Sequence, residues 1–203
     1  MRLNLKELTV VAALGALWGS VEMTLGSFLH VWNVPFTGAL LGSIGIAIAL
    51  VGRVVVPKPG STLSIAVIAA LLKALSIGGV VLSPMIAIVM EGLLADLVLS
   101  LGGRPRRSTF ILAGAVAVTW NTLHMVLIQG VVFGAGIISM YVVMIRKAAT
   151  LFHIPAGSVV AILVALVAMH VVAGCIAGFV AWEAGRSVLA RRSLAELDTE
   201  VPD

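Results

Sequence analysis

An all-α membrane protein, a bundle of six transmembrane helices, is the fold class this sequence predicts, and three observations carry it. The 203 residues are 61% hydrophobic and 11% charged, whereas a soluble domain carries roughly 25% charged residues and about half apolar ones. The apolar residues fall in long runs near the length of about 20 that a helix needs to cross a bilayer. Short stretches rich in Pro, Gly and Arg separate those runs. The composition argues against a water-soluble globular enzyme, and it excludes disordered, collagen-like and disulfide-scaffold classes.

The first span is placed at 8–28, after the polar start Met1-Arg2-Leu3-Asn4-Leu5-Lys6-Glu7. No small-residue cleavage site follows a short apolar core there, so the segment is read as a retained helix rather than a signal peptide. The second span, 35–56, stops at Pro57-Lys58-Pro59-Gly60-Ser61, and the third is placed at 62–82. Ser83-Pro84 opens the fourth, 84–101, which ends before Gly102-Gly103-Arg104-Pro105-Arg106-Arg107. The fifth is placed at 109–131 and the sixth at 156–182, with an outer interfacial segment between them that ends in Arg146-Lys147. Residues 1–186 are thus expected to form a single transmembrane domain. A polar cytoplasmic tail over 187–203 is expected to fray.

Orientation follows from the basic residues. With the N-terminus inside, the inner connections hold Arg2, Lys6, Arg53, Lys58, Arg104, Arg106, Arg107, Arg186, Arg191 and Arg192, and the outer ones hold only Arg146 and Lys147. That asymmetry places both termini in the cytoplasm. It also accounts for the net charge of +4 without invoking nucleic acid as a partner. The single cysteine, Cys175, excludes an intrachain disulfide and a multi-cysteine metal site.

Charged groups inside a bilayer cost a few kcal/mol each, roughly 3 on insertion scales, and so mark function by default. Glu22, Lys73, Glu91 and Asp96 lie within predicted spans. Counting down from the helix ends at about 1.5 Å per residue puts Glu22, Lys73, Glu91 and His124 in one layer, roughly 10–14 Å below the outer surface. Trp120 and Asn121 lie one turn deeper and share a helix face with His124. Two readings of Lys73 and Glu91 stay open: an ion pair across the hairpin of helices 3 and 4, or two walls of a polar cavity. Trp32, beside Asn33 on the first outer connection, is either an interfacial anchor or a lid that stacks on a flat ligand. Tyr141 in the fifth connection has the same ambiguity. Asp96 is expected to reach the Arg104–Arg107 loop as a structural partner. His170 lies roughly 10 Å deeper than His124 by the same counting, which makes the two a poor metal pair. No metal and no cofactor is therefore expected. The chain also lacks Gly-x-Ser-Gly, His-Glu-x-x-His, a Glu-Glu pair and a Walker A loop. The chain is accordingly read as no enzyme, and as unable to hydrolyse ATP itself.

Small residues at four-residue spacing, Ala12 with Ala16, Gly15 with Gly19, Gly38 with Gly42 and Gly174 with Gly178, allow close helix packing in lipid. The alanine pair, the six spans, and the text Val56-Pro57-Lys58-Pro59-Gly60-Ser61, Ala69-Ala70-Leu71-Leu72-Lys73, Pro84 and Glu91-Gly92 together carry a resemblance. The chain resembles the substrate-binding S component of an energy-coupling-factor (ECF) vitamin transporter, an ABC importer, nearest the thiamine and hydroxymethylpyrimidine type. The resemblance covers about residues 5–185. It implies that Ala12 and Ala16 dock on a transmembrane coupling subunit served by two ATPase subunits. It implies ligand contacts from Trp32, Glu91, Trp120, Asn121, His124 and Tyr141, and a multi-pass place in the inner or plasma membrane of a prokaryote. Glu22 and Lys73 match no motif of that family. Three functions compete: a binding subunit for a small water-soluble vitamin or precursor, with cobalamin as the alternative ligand; a stand-alone proton-coupled carrier using Glu22, Lys73, Glu91 and Asp96 as a relay; and an assembly protein without a small ligand.

Overall fold

The structure is a computed structural model that describes residues 3–32, 34, 36–76, 82–132, 139, 143, 146, 147, 149–151, 153 and 159–200. Among them six continuous helices follow in chain order, and no strand occurs: α1 Leu5–Val31, α2 Thr37–Val55, α3 Ser61–Lys73, α4 Leu82–Leu101, α5 Arg107–Val132 and α6 Val159–Glu200. Four are long and apolar enough to cross a membrane: Leu5–Leu29 of α1, α2, α4, and Ala161–Ser193 of α6. The chain is thus a helical protein with the features of a multi-pass membrane protein.

Local chemistry sets the helix ends. At the start of α1, Glu7 N–H donates to Asn4 Oδ1 (2.8 Å) and Asn4 N–H donates to Glu7 Oε2 (2.8 Å). This reciprocal capping box satisfies two amide groups that the first turn leaves open. Pro57 follows α2, and the residue before a proline is pushed out of the helical region. Gly60 adopts φ 89° to turn the chain into α3. Pro84 occupies the first turn of α4, where its missing N–H costs nothing. Gly103, at φ 69°, follows the end of that helix.

Two expectations about extent are corrected. The third helix is described only over Ser61–Lys73, not 62–82. Its 13 residues rise about 20 Å, short of the roughly 30 Å hydrocarbon layer. The sixth helix runs unbroken to Glu200, well past the 156–182 expected for it, so residues 187–200 continue it. Good helix formers such as Leu189, Ala190, Leu194, Ala195 and Glu196 fill that stretch.

Among the described residues α2 touches each of the other five helices. Around it lie α1, α3, α4, α5 and α6 in that order, each against the next, with no contact between α6 and α1. Small residues place α2 at the centre. Gly45 lets the buried indole of Trp18 lie against the α2 backbone, and Gly52 accommodates Ile65. Gly15 and Gly19 do the same for Ile68 and Leu72 along the α1–α3 contact. The closest approach is α5 on α6. A Cβ at Gly114 would run into the backbone of Gly174 and Gly178, and one at Gly178 into that of Phe110. In lipid, where no hydrophobic drive holds helices together, such backbone contact supplies the packing. Gly178→Val should therefore force the two helices apart. We expect a loss of about 2–3 kcal/mol, the range for overpacking, seen as a lower unfolding temperature of the detergent-purified protein.

The end of the bundle away from the α1–α2 connection is held by ion pairs. Arg53 meets Asp96 at 3.4 Å and also donates to Lys58 O and to Ser100 Oγ (3.3 Å). Asp96 accepts the Gly60 N–H on both carboxylate oxygens (2.9 and 2.8 Å). Lys58 Nζ reaches Glu7 Oε2 at 2.7 Å. Asp96 is thus the α2–α4 link and the anion at the α3 N-terminus, which corrects the expectation that it reaches the Arg104–Arg107 loop. An intrahelical partner four residues on, Ser100, shares that link with it.

Candidate cavity at one end of the bundle

Because consecutive helices alternate in direction, the C-terminal halves of α1, α3 and α5 meet the N-terminal halves of α2, α4 and α6 at one end. A cavity of about 510 Å³ opens there, and every one of the six helices lines it. That size falls in the range of about 300–1,000 Å³ usual for small-molecule sites.

The sequence-predicted residues distribute as follows. Glu22, Lys73, Glu91, Asn121 and His124 all line this cavity. Four of them are nearly inaccessible: Glu22 at 6%, Lys73 at 7%, Glu91 at 2% and His124 at 6% exposure. Of the two readings left open for Lys73 and Glu91, the ion pair across the α3–α4 hairpin is not formed, and both residues line the cavity. Lys73 Nζ lies 3.5 Å from Glu22 Oε2 and donates to Glu22 O at 2.7 Å. Lys73 lies on the α1 side of α3, along the α1–α3 contact that Gly15 and Gly19 hold close. Gly26, next to that pair, leaves room for the ammonium: a Cβ there would be 3.1 Å from Nζ.

Glu91 is positioned from α4 against α2. A Cβ at Gly42 would stand 2.9 Å from Glu91 Oε1 and 2.5 Å from Asn121 Nδ2, so the bare backbone at Gly42 admits both groups. Asn121 Nδ2 donates to Gly38 O at 3.1 Å, tying α5 to α2. His124 Nε2 lies 3.0 Å from Ser83 Oγ. Trp120 is not on the cavity wall; its ring packs behind His124 with centroids 6.1 Å apart. Trp32 is 70% exposed and leans on Phe28 at 5.5 Å between ring centroids, away from the lining. Asn33 and Tyr141 lie outside the described residues.

Several lining groups were not predicted. Thr37, Ser83, Thr122, Lys147 and His170 join the wall. His170 Nδ1 donates to Leu166 O at 2.8 Å, because a carbonyl oxygen only accepts, which leaves Nε2 as the acceptor of the neutral ring. Depth counting set His170 roughly 10 Å below His124, yet both line the same cavity. Among the described residues no group of three or more His, Cys, Asp or Glu is arranged to hold a metal ion.

Three polar atoms on the wall of this cavity lack partners. Glu91 Oε2, Thr122 Oγ1 and His124 Nδ1 are buried without a hydrogen-bond partner among the described residues. A buried polar group left unpaired costs about 1–3 kcal/mol, so native structures rarely leave several side by side. Phe36, also on the wall, holds a left-handed backbone (φ 60°), a conformation non-glycine residues adopt at a cost and often at functional sites. Elsewhere Trp18 Nε1, Ser61 Oγ, Thr62 Oγ1 and Trp120 Nε1 are likewise unpartnered, but none of them lines the cavity.

The fold and the cavity together define a helical bundle, four of whose helices are long and apolar enough to cross a membrane, with a chamber at one end whose wall carries several polar groups. No family model, no curated protein and no solved structure matches the chain.

Proposed function

We propose that the chain is the membrane-embedded substrate-binding subunit of an importer of the ECF type. It takes a small water-soluble vitamin or precursor, of the thiamine or pyrimidine kind, from outside a prokaryotic cell. The protein performs no chemistry on that ligand. The observation that carries the reading is the cluster of Glu91 Oε2, Thr122 Oγ1 and His124 Nδ1, buried and unpartnered around one cavity of about 510 Å³. A few converging polar groups in an apolar wall are the usual form of a small-molecule site. A planar nitrogen heterocycle offers the hydrogen-bond donors and acceptors that such groups lack. In this reading the chain crosses the membrane six times, the third crossing needing more chain than Ser61–Lys73 alone, with both termini inside and the cavity facing outward.

The α1 surface supports a docking role. Gly15 and Gly19 are buried against α3, while Ala12 and Ala16, on the neighbouring stripe of the same helix, are exposed. In the proposed assembly they meet the coupling subunit, and two ATPase subunits supply the energy this chain has no motif to harvest.

The experiment compares ligand affinity in Glu91→Gln and His124→Ala with the unaltered protein. Each should weaken binding about 10- to 100-fold, the worth of one to two hydrogen bonds to charged or buried groups, with the unfolding temperature nearly unchanged. Unaltered affinity in both variants would contradict the site.

A further inference from the structure

Four charged side chains among the described residues line the cavity: Glu22, Lys73, Glu91 and Lys147. Two of them neutralise each other, since Lys73 Nζ lies 3.5 Å from Glu22 Oε2 and its remaining reach is spent on Glu22 O. The other two are left over. Glu91 is 2% exposed with Oε2 unpartnered. Lys147 is exposed, and among the described residues it forms no ion pair within 4.0 Å and no hydrogen bond. The leftover charges are opposite in sign, yet they do not meet. One sits on the inner wall, and the other stands on the exposed rim.

Lys147 also comes from a different part of the chain than the inner polar groups. It belongs to the helical residues between α5 and α6, and Val143, one turn earlier on the same face, lines the cavity with it. Val143 and Lys147 thus bring one apolar and one cationic residue to the lining of the chamber. A lysine whose only task was to reach a headgroup region would extend away from the chamber, with its ammonium in water or lipid phosphate.

We infer that Lys147 is a ligand-binding residue, and that the ligand carries an oxyanion, a carboxylate or a phosphate, at the rim of the cavity. The inference rests on the proposed function and narrows its ligand to an acid-bearing vitamin or precursor, such as a phosphorylated pyrimidine, rather than thiamine itself, which has no acid group. The bound molecule is dipolar: its N–H donor end is buried beside Glu91, and its acid end lies outward at Lys147. Lysine suits the rim because its flexible, compact charge follows either kind of acid without requiring a fixed fork geometry.

The test uses accurate-mass spectrometry of small molecules released from gently purified protein, quantified per chain. Wild-type protein should release a molecule that contains an acid group, and the exact mass separates a phosphate from a carboxylate. At neutral pH and moderate salt, Lys147→Gln should retain about tenfold less of it, the worth of one charge-assisted contact. Lys147→Glu should retain still less, and Lys147→Arg should restore most of it. Raising salt should weaken retention in wild type more than in Lys147→Gln. A released ligand with no acid group overturns the inference and leaves the proposed function standing. So does equal retention in the Gln, Glu and wild-type proteins. Wild-type protein that releases no small molecule overturns both.

Discussion

Asp96→Ala lowers the stability of the purified protein by about 3–5 kcal/mol, the loss expected when one partner of a buried ion pair is removed. The change leaves the Arg53 guanidinium, 8% exposed in its side chain, without its carboxylate. It also strips the Gly60 N–H of both its acceptor oxygens at the start of α3. Three helices are affected at once, because Asp96 on α4 joins α2 through Arg53 and α3 through Gly60. The remaining contacts of Arg53, to Lys58 O and Ser100 Oγ, carry no negative charge and cannot balance it. Pairing Asp96→Ala with Arg53→Met should return part of the loss, since no uncompensated charge is then buried. Thermal unfolding in detergent reads both. Because the site lies at the opposite end from the cavity, protein that remains folded should keep its affinity for the ligand.

Gly42→Leu should abolish ligand binding, with a loss of at least about 100-fold, beyond the effect of removing any one hydrogen bond at the wall. Even a single Cβ there would press on Asn121 Nδ2 and Glu91 Oε1 at 2.5 and 2.9 Å. A full leucine side chain would fill the space in front of both. Gly38, one turn earlier on the same wall, is the matched control. A Cβ there meets nothing nearer than Asn121 Oδ1 at 3.9 Å, so Gly38→Ala should bind as the wild type does. The two substitutions lie on one helix and add comparable helix propensity, so a difference between them reports the cavity and not the fold.

The layer of polar residues was legible from the sequence because the helical rise is fixed. Once the ends of the apolar runs are located, depth follows by counting, and Glu22, Lys73, Glu91, Asn121 and His124 do line one cavity. Direction around each helix axis was not legible. These helices are apolar on nearly every side, so hydrophobicity does not say which face turns inward. That is why the sequence left open whether Lys73 pairs with Glu91, and Lys73 is found on Glu22. It is also why Trp120 was expected on the wall and is found behind His124. Asp96 was matched to the nearest basic loop along the chain, whereas its partner Arg53 is 43 positions away and brought near by the central position of α2. Gly42 read as a packing residue from its spacing to Gly38. Only the position of Glu91 and Asn121 in space shows that it keeps the chamber open. Lys147 read as a boundary charge, because nothing in its own stretch says that it joins the lining of the cavity.

The most direct measurement is the quantity of small molecule carried by the folded protein in three forms: wild type, Gly38→Ala and Gly42→Leu. Each is purified gently, checked for folding by its unfolding temperature, and assayed by mass spectrometry after denaturation. A single compound in near-stoichiometric amount from the first two and none from Gly42→Leu is the predicted result. No compound from the wild type, or the same amount from all three, would contradict a ligand chamber walled by Glu91, Asn121 and His124.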